Sequence, residues 1–189
     1  MSHFVAVLDA CVLYRESLRS LLIHMSLNGL YRARWTDRIN AEWVDALSRK
    51  RPDILRERLQ RTRDRMNAAV PDSLVTGYEP LEATVQLSDP NDRHVAAAAI
   101  RCEAGTIVTY NLKHFPNKLL APHGLTAQHP DQFIEHALGI DEAAVLDAVR
   151  LQRASLKNPP RTVEELLDSY LRHELATTVG LLRPHAASL

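Results

Sequence analysis

Six glycines are scattered through 189 residues with no two close together, which excludes a glycine-rich loop of the kind that cradles nucleotide phosphates. Cysteine is scarcer still. Cys11 and Cys102 are too few for a disulfide framework and show no paired zinc-ligand spacing, so both read as small buried apolar residues. No apolar run approaches the roughly 18 residues of a membrane span, and the start lacks a cationic segment followed by a long apolar one. A cytoplasmic protein that does not enter a membrane is therefore expected. Net charge is absent too: 23 Lys and Arg balance 23 Asp and Glu, which argues against holding nucleic acid by bulk charge alone.

What is present describes a folded α/β chain. At 21.3 kDa and 46% hydrophobic residues, one domain can bury roughly 70% of the surface that its unfolded form exposes. The apolar run from His3 to Leu8 is short and rich in apolar and β-branched residues, which predicts a buried strand closed by Asp9. Ser17 to Leu30 places leucines and Met25 on one side of a helix that Asn28-Gly29 helps to end. Thr36 and Asp37 start another, with Ile39, Trp43 and Leu47 as its buried stripe and Glu42 at the border of that stripe. Ser73–Thr76 reads as a short strand before Gly77. Asp89-Pro90 predicts a helix start with Asp92 in the first turn, Gly105 ends that alanine-rich helix, and Thr106–Thr109 gives another buried strand. In open sheets of this kind, ligands bind outside the carboxyl ends of the strands, so Asp9 anchors the functional reading.

Local charge adds a second feature. Between Arg49 and Arg65 there are eight basic and three acidic residues. After Pro52 this segment reads as a helix with Leu55, Leu59, Thr62 and Met66 on one face and Arg58, Arg61 and Arg65 on a neighbouring one. Two readings stand: a face that follows phosphates, or a solvated surface on which Asp53, Glu57 and Asp64 pair with the arginines.

Val7–Leu13 with Asp9 inside it, a helix carrying Glu42, Asp92–Ile100 and Ile107–Phe115 together resemble the ordered motifs of the PIN-domain nucleases over roughly residues 3 to 130. The resemblance implies an α/β, PIN-like fold with a central parallel sheet flanked by helices. It also implies acids that bind Mg²⁺ or Mn²⁺, and cleavage of RNA. Bacterial relatives of the VapC group are often toxins silenced by an antitoxin protein. Carried over by position, Asp9, Glu42 and Asp92 match the three acids, with Asp9 and Asp92 as direct or water-bridged metal ligands and Glu42 holding the metal or orienting water. Asn111 stands at the fourth position, where members carry an acid or sometimes an amide. His114 departs from the usual acid of its motif. Asp89 is either a further ligand or a helix cap. Arg58, Arg61, Arg65 and Thr109 are the expected substrate-binding residues.

Oxygen-rich, open sites suit Mg²⁺, which keeps several waters. Two carboxylates about 5 Å apart repel by roughly 3 kcal/mol at an effective dielectric near 20, a penalty that a cation removes. An aspartyl phosphatase is excluded because its second Asp, two places after the first, is here Cys11. The non-enzyme rival is a PIN-fold module that binds RNA or protein and cleaves weakly or not at all. The expected division is a nuclease part, 1–138, and a helical extension, 139–189. In the extension, Val145, Leu146, Val149 and Leu151 predict one helix, Lys157–Pro160 a break, and the Thr162/Glu165 capping box another helix with Leu166, Leu167, Tyr170 and Leu171. That extension packs on the core, forms a homodimer or meets the antitoxin. The histidines, lacking ligand spacing, are expected at the surface.

Overall fold

The computed structural model describes residues 4–87 and 89–189. His3, which opens the expected first strand, and Ser88 lie outside the described residues. In chain order the elements are β1 (Val5–Leu8), α1 (Ala10–Leu13), α2 (Glu16–Leu27), β2 (Arg32–Arg34), α3 (Asp37–Lys50), α4 (Arg56–Ala69), α5 (Arg93–Arg101) and β3 (Thr106–Val108). There follow α6 (Asn117–Leu120), β4 (Thr126–Gln128), α7 (Pro130–Ile140), α8 (Glu142–Ser155), α9 (Val163–Leu171) and α10 (Ala176–Leu182).

The four strands form one parallel sheet in the order β2-β1-β3-β4. Helices cover it, so Ala6, Val7, Leu8, Ile107 and Val108 are fully buried, the continuous apolar pattern of parallel strands covered on both faces. After β1 the chain moves outward to β2, whereas β3 lies on the other side of β1. The crevice between the carboxyl ends of β1 and β3 is therefore the topological switch point, where such sheets bind ligands.

Several expectations change at element ends. α2 stops at Leu27, because Gly29 adopts a φ of 78° that lets the chain turn away. α5 ends at Arg101, not at Gly105: Glu103 takes a φ of 55°, and the Gly105 amide already donates to Val5 in the sheet. The strand expected at Ser73–Thr76 is a single parallel bridge between Trp35 and Leu74. It lies between positive-φ turns at Asp72 and Gly77, which leave room for only a short pairing. α4 buries Leu59 and Met66, while Leu55 precedes the helix and is 68% exposed.

Helices α8 to α10 do not stand apart from the sheet domain. α8 and α9 both pack on α2, and α10 packs on α7. Gln152 donates to the Ser17 carbonyl at 2.8 Å and accepts from the Tyr170 hydroxyl, so a buried polar link is satisfied at both ends. Val145, Leu146, Val149, Leu166, Leu167 and Tyr170 are buried as expected, whereas Leu151 and Leu171 are half-exposed at the margins of their stripes. The capping box of Thr162 and Glu165 is formed.

Candidate active site

β1 ends on Asp9, and the sheet fixes where that side chain goes. The Asp9 amide donates to Val108 across the β1–β3 pair at 3.1 Å, and the carboxylate then caps α1 through Ala10 N at 2.7 Å. Its other oxygen accepts from the Thr109 hydroxyl at 2.6 Å and from Cys11 Sγ at 3.1 Å. A buried carboxylate is tolerable only with such donors. Cys11 is thus a polar partner of the site and not merely an apolar filler. Burial first, and the neighbouring Asp9 charge second, push its thiol up to about 12.

A cleft of about 1200 Å³ opens here, lined by Asp9, Glu42, Asp92 and Asn111 among others. Four residues from distant parts of the chain thus border one cavity. Asp92 occupies the short 3-10 turn before α5, whose entry is capped by Asp89 accepting from Asn91 N at 2.9 Å. The Asp92 carboxylate lies 2.7 Å from His114 Nδ1. Burial raises the Asp92 pKa; His114 opposes the rise, while Asp9 and Asp89 add to it through like charge. Asp89, Asp92 and His114 each offer one ligand atom, all within 4.8 Å of one another. Two carboxylates and an imidazole form a donor set that a divalent cation accepts, and the imidazole shifts the balance toward Mn²⁺ relative to an all-oxygen set.

Glu42 enters from α3. Its carboxylate is 3.4 Å from Arg38 one turn earlier and 3.0 Å from His94 Nε2. His94 is 1% exposed, which corrects the expectation that the histidines lie at the surface. Its Nδ1 has no hydrogen-bond partner among the described residues. The sequence signal was weak: a His on an alanine-rich helix does not announce which face it occupies.

The expected substrate-binding residues separate. Thr109 is fully buried beneath Asp9, and its hydroxyl also accepts from the Asn111 amide at 3.0 Å. Arg58 lines the cleft, whereas Arg61 and Arg65 are exposed on α4 and do not. Asp53 and Asp64 pair with Arg51 and Arg63 instead. At the cleft's inner end Arg19 is 7% exposed, donates to the Leu13 carbonyl and stacks 4.7 Å above Trp43. Burial lowers its pKa to about 10, opposed by Glu16, so it still carries its charge at neutral pH.

Comparison with known proteins identifies the family. The chain is 38% identical over 107 residues to a protein of Mycobacterium tuberculosis (strain ATCC 25618 / H37Rv) described as "Putative ribonuclease VapC50"; the match covers 54% of this chain and 63% of that relative. The chain thus spans less than two thirds of the curated relative's length. No solved structure matches it. The family model of the VapC50 C-terminal domain matches residues 130–184, from the start of α7 into the turns after α10. The PIN domain model matches residues 5–113, which contain every acid of the cleft described above, and over more than half of its length the chain therefore belongs to the PIN domain family.

Proposed function

We propose that this chain is a divalent-metal-dependent endoribonuclease that cleaves RNA phosphodiester bonds and acts as the toxin of a toxin-antitoxin pair. The observation that supports the reading is the convergence of Asp9, Glu42, Asp92 and Asn111 on one cleft at the β1/β3 switch point. Among the described residues the ligand atoms grouped within 4.8 Å are those of Asp89, Asp92 and His114; Asp9 and Glu42, which line the same cleft, would complete the donor set for Mg²⁺ or Mn²⁺. When bound, such a cation supplies charge neutralisation at the phosphate and lowers the pKa of attacking water.

The chain's own residues do the rest. Asp9 is held rigid by three donors, so its carboxylate keeps one orientation during turnover. Glu42, fixed by His94 and Arg38, is placed to orient a water at the cleft surface. Asn111 offers hydrogen bonds without adding negative charge near the phosphate. Arg58 meets the backbone within the cleft; Arg61 and Arg65 would meet it where the strand leaves along α4. The nuclease part, 1–138, carries the acids of this chemistry, and the outer face of the extension, 139–189, is left for the antitoxin or a second copy.

The test is a cleavage assay on RNA with Mg²⁺, Mn²⁺ or EDTA, comparing the native chain with Asp92→Asn and Glu42→Gln. Metal-dependent cleavage lost in both variants supports the reading. RNA that is bound but left intact under every metal condition would instead identify a binding module on a PIN fold.

A further inference from the structure

The same cleft has a positively charged part that the acids do not explain. It is lined by Lys50 at the end of α3 and Arg58 in α4, and also by Arg161 and Arg172, which flank the two ends of α9 in the C-terminal segment. None of these four has an ion-pair partner among the described residues, although the chain as a whole is neutral and most other cleft charges are paired. α9 has nine residues, about 14 Å of helix, so Arg161 and Arg172 mark a stretch longer than one nucleotide.

This part of the cleft is also held in place. The Tyr110 hydroxyl donates to the His173 carbonyl at 2.6 Å, and Arg15 reaches Glu174 at 3.1 Å while stacking 3.9 Å over Tyr110. The turn after α9 is thus tied to the residues that follow β3, immediately before Asn111. Burial lowers the His173 pKa, with Arg15 and Arg172 acting in the same direction and Glu16 and Glu174 opposing them. The half-buried Tyr14 contributes an aromatic ring to the same lining.

We propose that the C-terminal segment forms part of the RNA site itself, with Arg161 and Arg172 joining Lys50 and Arg58 to hold the phosphates of single-stranded RNA that leads to the acids. A cationic groove with an aromatic ring is the usual chemistry for a single strand. An acidic peptide shares the negative charge but offers no base to stack on Tyr14, and the groove leads to the acids that the ribonuclease reading assigns to a phosphodiester.

The inference rests on the ribonuclease reading, and one experiment separates the two. Binding of a fluorescein-labelled 2′-O-methyl oligouridylate is measured by anisotropy with Mg²⁺ across a salt series, beside cleavage of unmodified RNA, for the full chain and its variants. Arg161→Glu/Arg172→Glu is expected to weaken binding about tenfold or more and to flatten the salt dependence by roughly one phosphate contact per arginine. Arg32→Glu/Lys118→Glu, the same charge change at exposed residues outside the cleft, is expected to leave both nearly unchanged. Arg161→Lys/Arg172→Lys, which preserves charge at the same places, should recover most of the affinity and guards against misfolding as the cause.

If the native chain neither binds nor cleaves RNA, the ribonuclease reading fails, and this inference with it. If it does both and the Arg161/Arg172 reversal matches native in affinity and salt slope, only the C-terminal part of the site is refuted. The same refutation follows if the reversal leaves RNA binding intact but abolishes binding of polyglutamate, since the surface would then serve an acidic protein partner.

Discussion

The Thr109 hydroxyl donates to Asp9 Oδ2 at 2.6 Å and accepts from the Asn111 backbone N–H at 3.0 Å, so one buried group joins the first acid of the cleft to the main chain of the residue at its fourth position. Thr109→Val keeps the volume and removes both links. Because a hydrogen bond to a buried charge contributes more than a neutral one, the variant should lose about 1.5 to 3 kcal/mol of stability, read by urea denaturation. RNA cleavage should fall as well, while Thr109→Ser, which keeps the hydroxyl, stays near native in both measurements. Equal stability of the Val and Ser variants would show that the Asp9 carboxylate does not depend on this donor.

His94 offers a similar test at the opposite acid. Its Nε2 is 3.0 Å from Glu42, while Nδ1 finds no partner among the described residues. A buried unpartnered nitrogen is unfavourable in itself, so the value of His94 is expected to lie in what Nε2 does for Glu42. His94→Phe fills the space without a donor and should cut cleavage by about 10- to 100-fold, the usual effect of losing a group that orients a metal-site carboxylate. His94→Gln, whose amide nitrogen can reach a similar place, should restore part of the rate. A Phe variant that cleaves RNA at the native rate would leave Glu42 to Arg38 alone.

The sequence disclosed the acids because each occupies a place with a pattern: Asp9 closes an apolar run, Glu42 borders a helical stripe, and Asp92 follows a helix cap. It did not disclose what holds them. Thr109, expected to bind substrate, proves instead to be a buried donor to Asp9, and His94 a buried partner of Glu42; both roles arise only when distant elements meet, which no local period encodes. β2 and β4 have three residues each, Arg32–Arg34 and Thr126–Gln128, too few to show an alternation. The clearest loss was the second lining of the cleft. Arg161 and Arg172 lie far along the chain from the basic segment Arg49–Arg65, and only the packing of α8 and α9 on α2 brings them to the same cavity.

Asp131 ties the sheet domain to the C-terminal helices, and pH should reveal it. From the first turn of α7 its carboxylate accepts from the Thr177 and Thr178 amides at 2.9 and 2.8 Å and from the Thr178 hydroxyl at 2.7 Å, so it caps α10 from a distance. Burial acts to raise its pKa, but these hydrogen bonds outweigh burial and hold it below the usual carboxylate value of 3.8. A depressed folded-state pKa stabilises the fold above that value and loses its contribution as pH falls through it. Asp131→Asn should therefore be less stable than native by about 1 to 3 kcal/mol at neutral pH. The gap should narrow below about pH 4. A gap that stays constant from pH 7 to pH 3 in urea titrations would assign the effect to packing instead of charge.

If the cleft holds a divalent metal as proposed, Asn111 bears on how many ions it takes. An acid at that position would bring another negative charge to the cleft; the amide does not, so the site has less charge with which to hold a second dication. Asp92 already has a raised pKa, through burial and the charges of Asp9 and Asp89, so unneutralised charge there is unfavourable and one cation relieves it. We expect calorimetry with Mn²⁺ on the RNA-free chain to show a single tight site, weakened strongly in Asp92→Asn, with any second ion bound only in the presence of substrate phosphates. Asn111→Asp should strengthen the second site. Two tight ions on the native chain would mean that Asn111 is no barrier and that other cleft oxygens supply the missing charge.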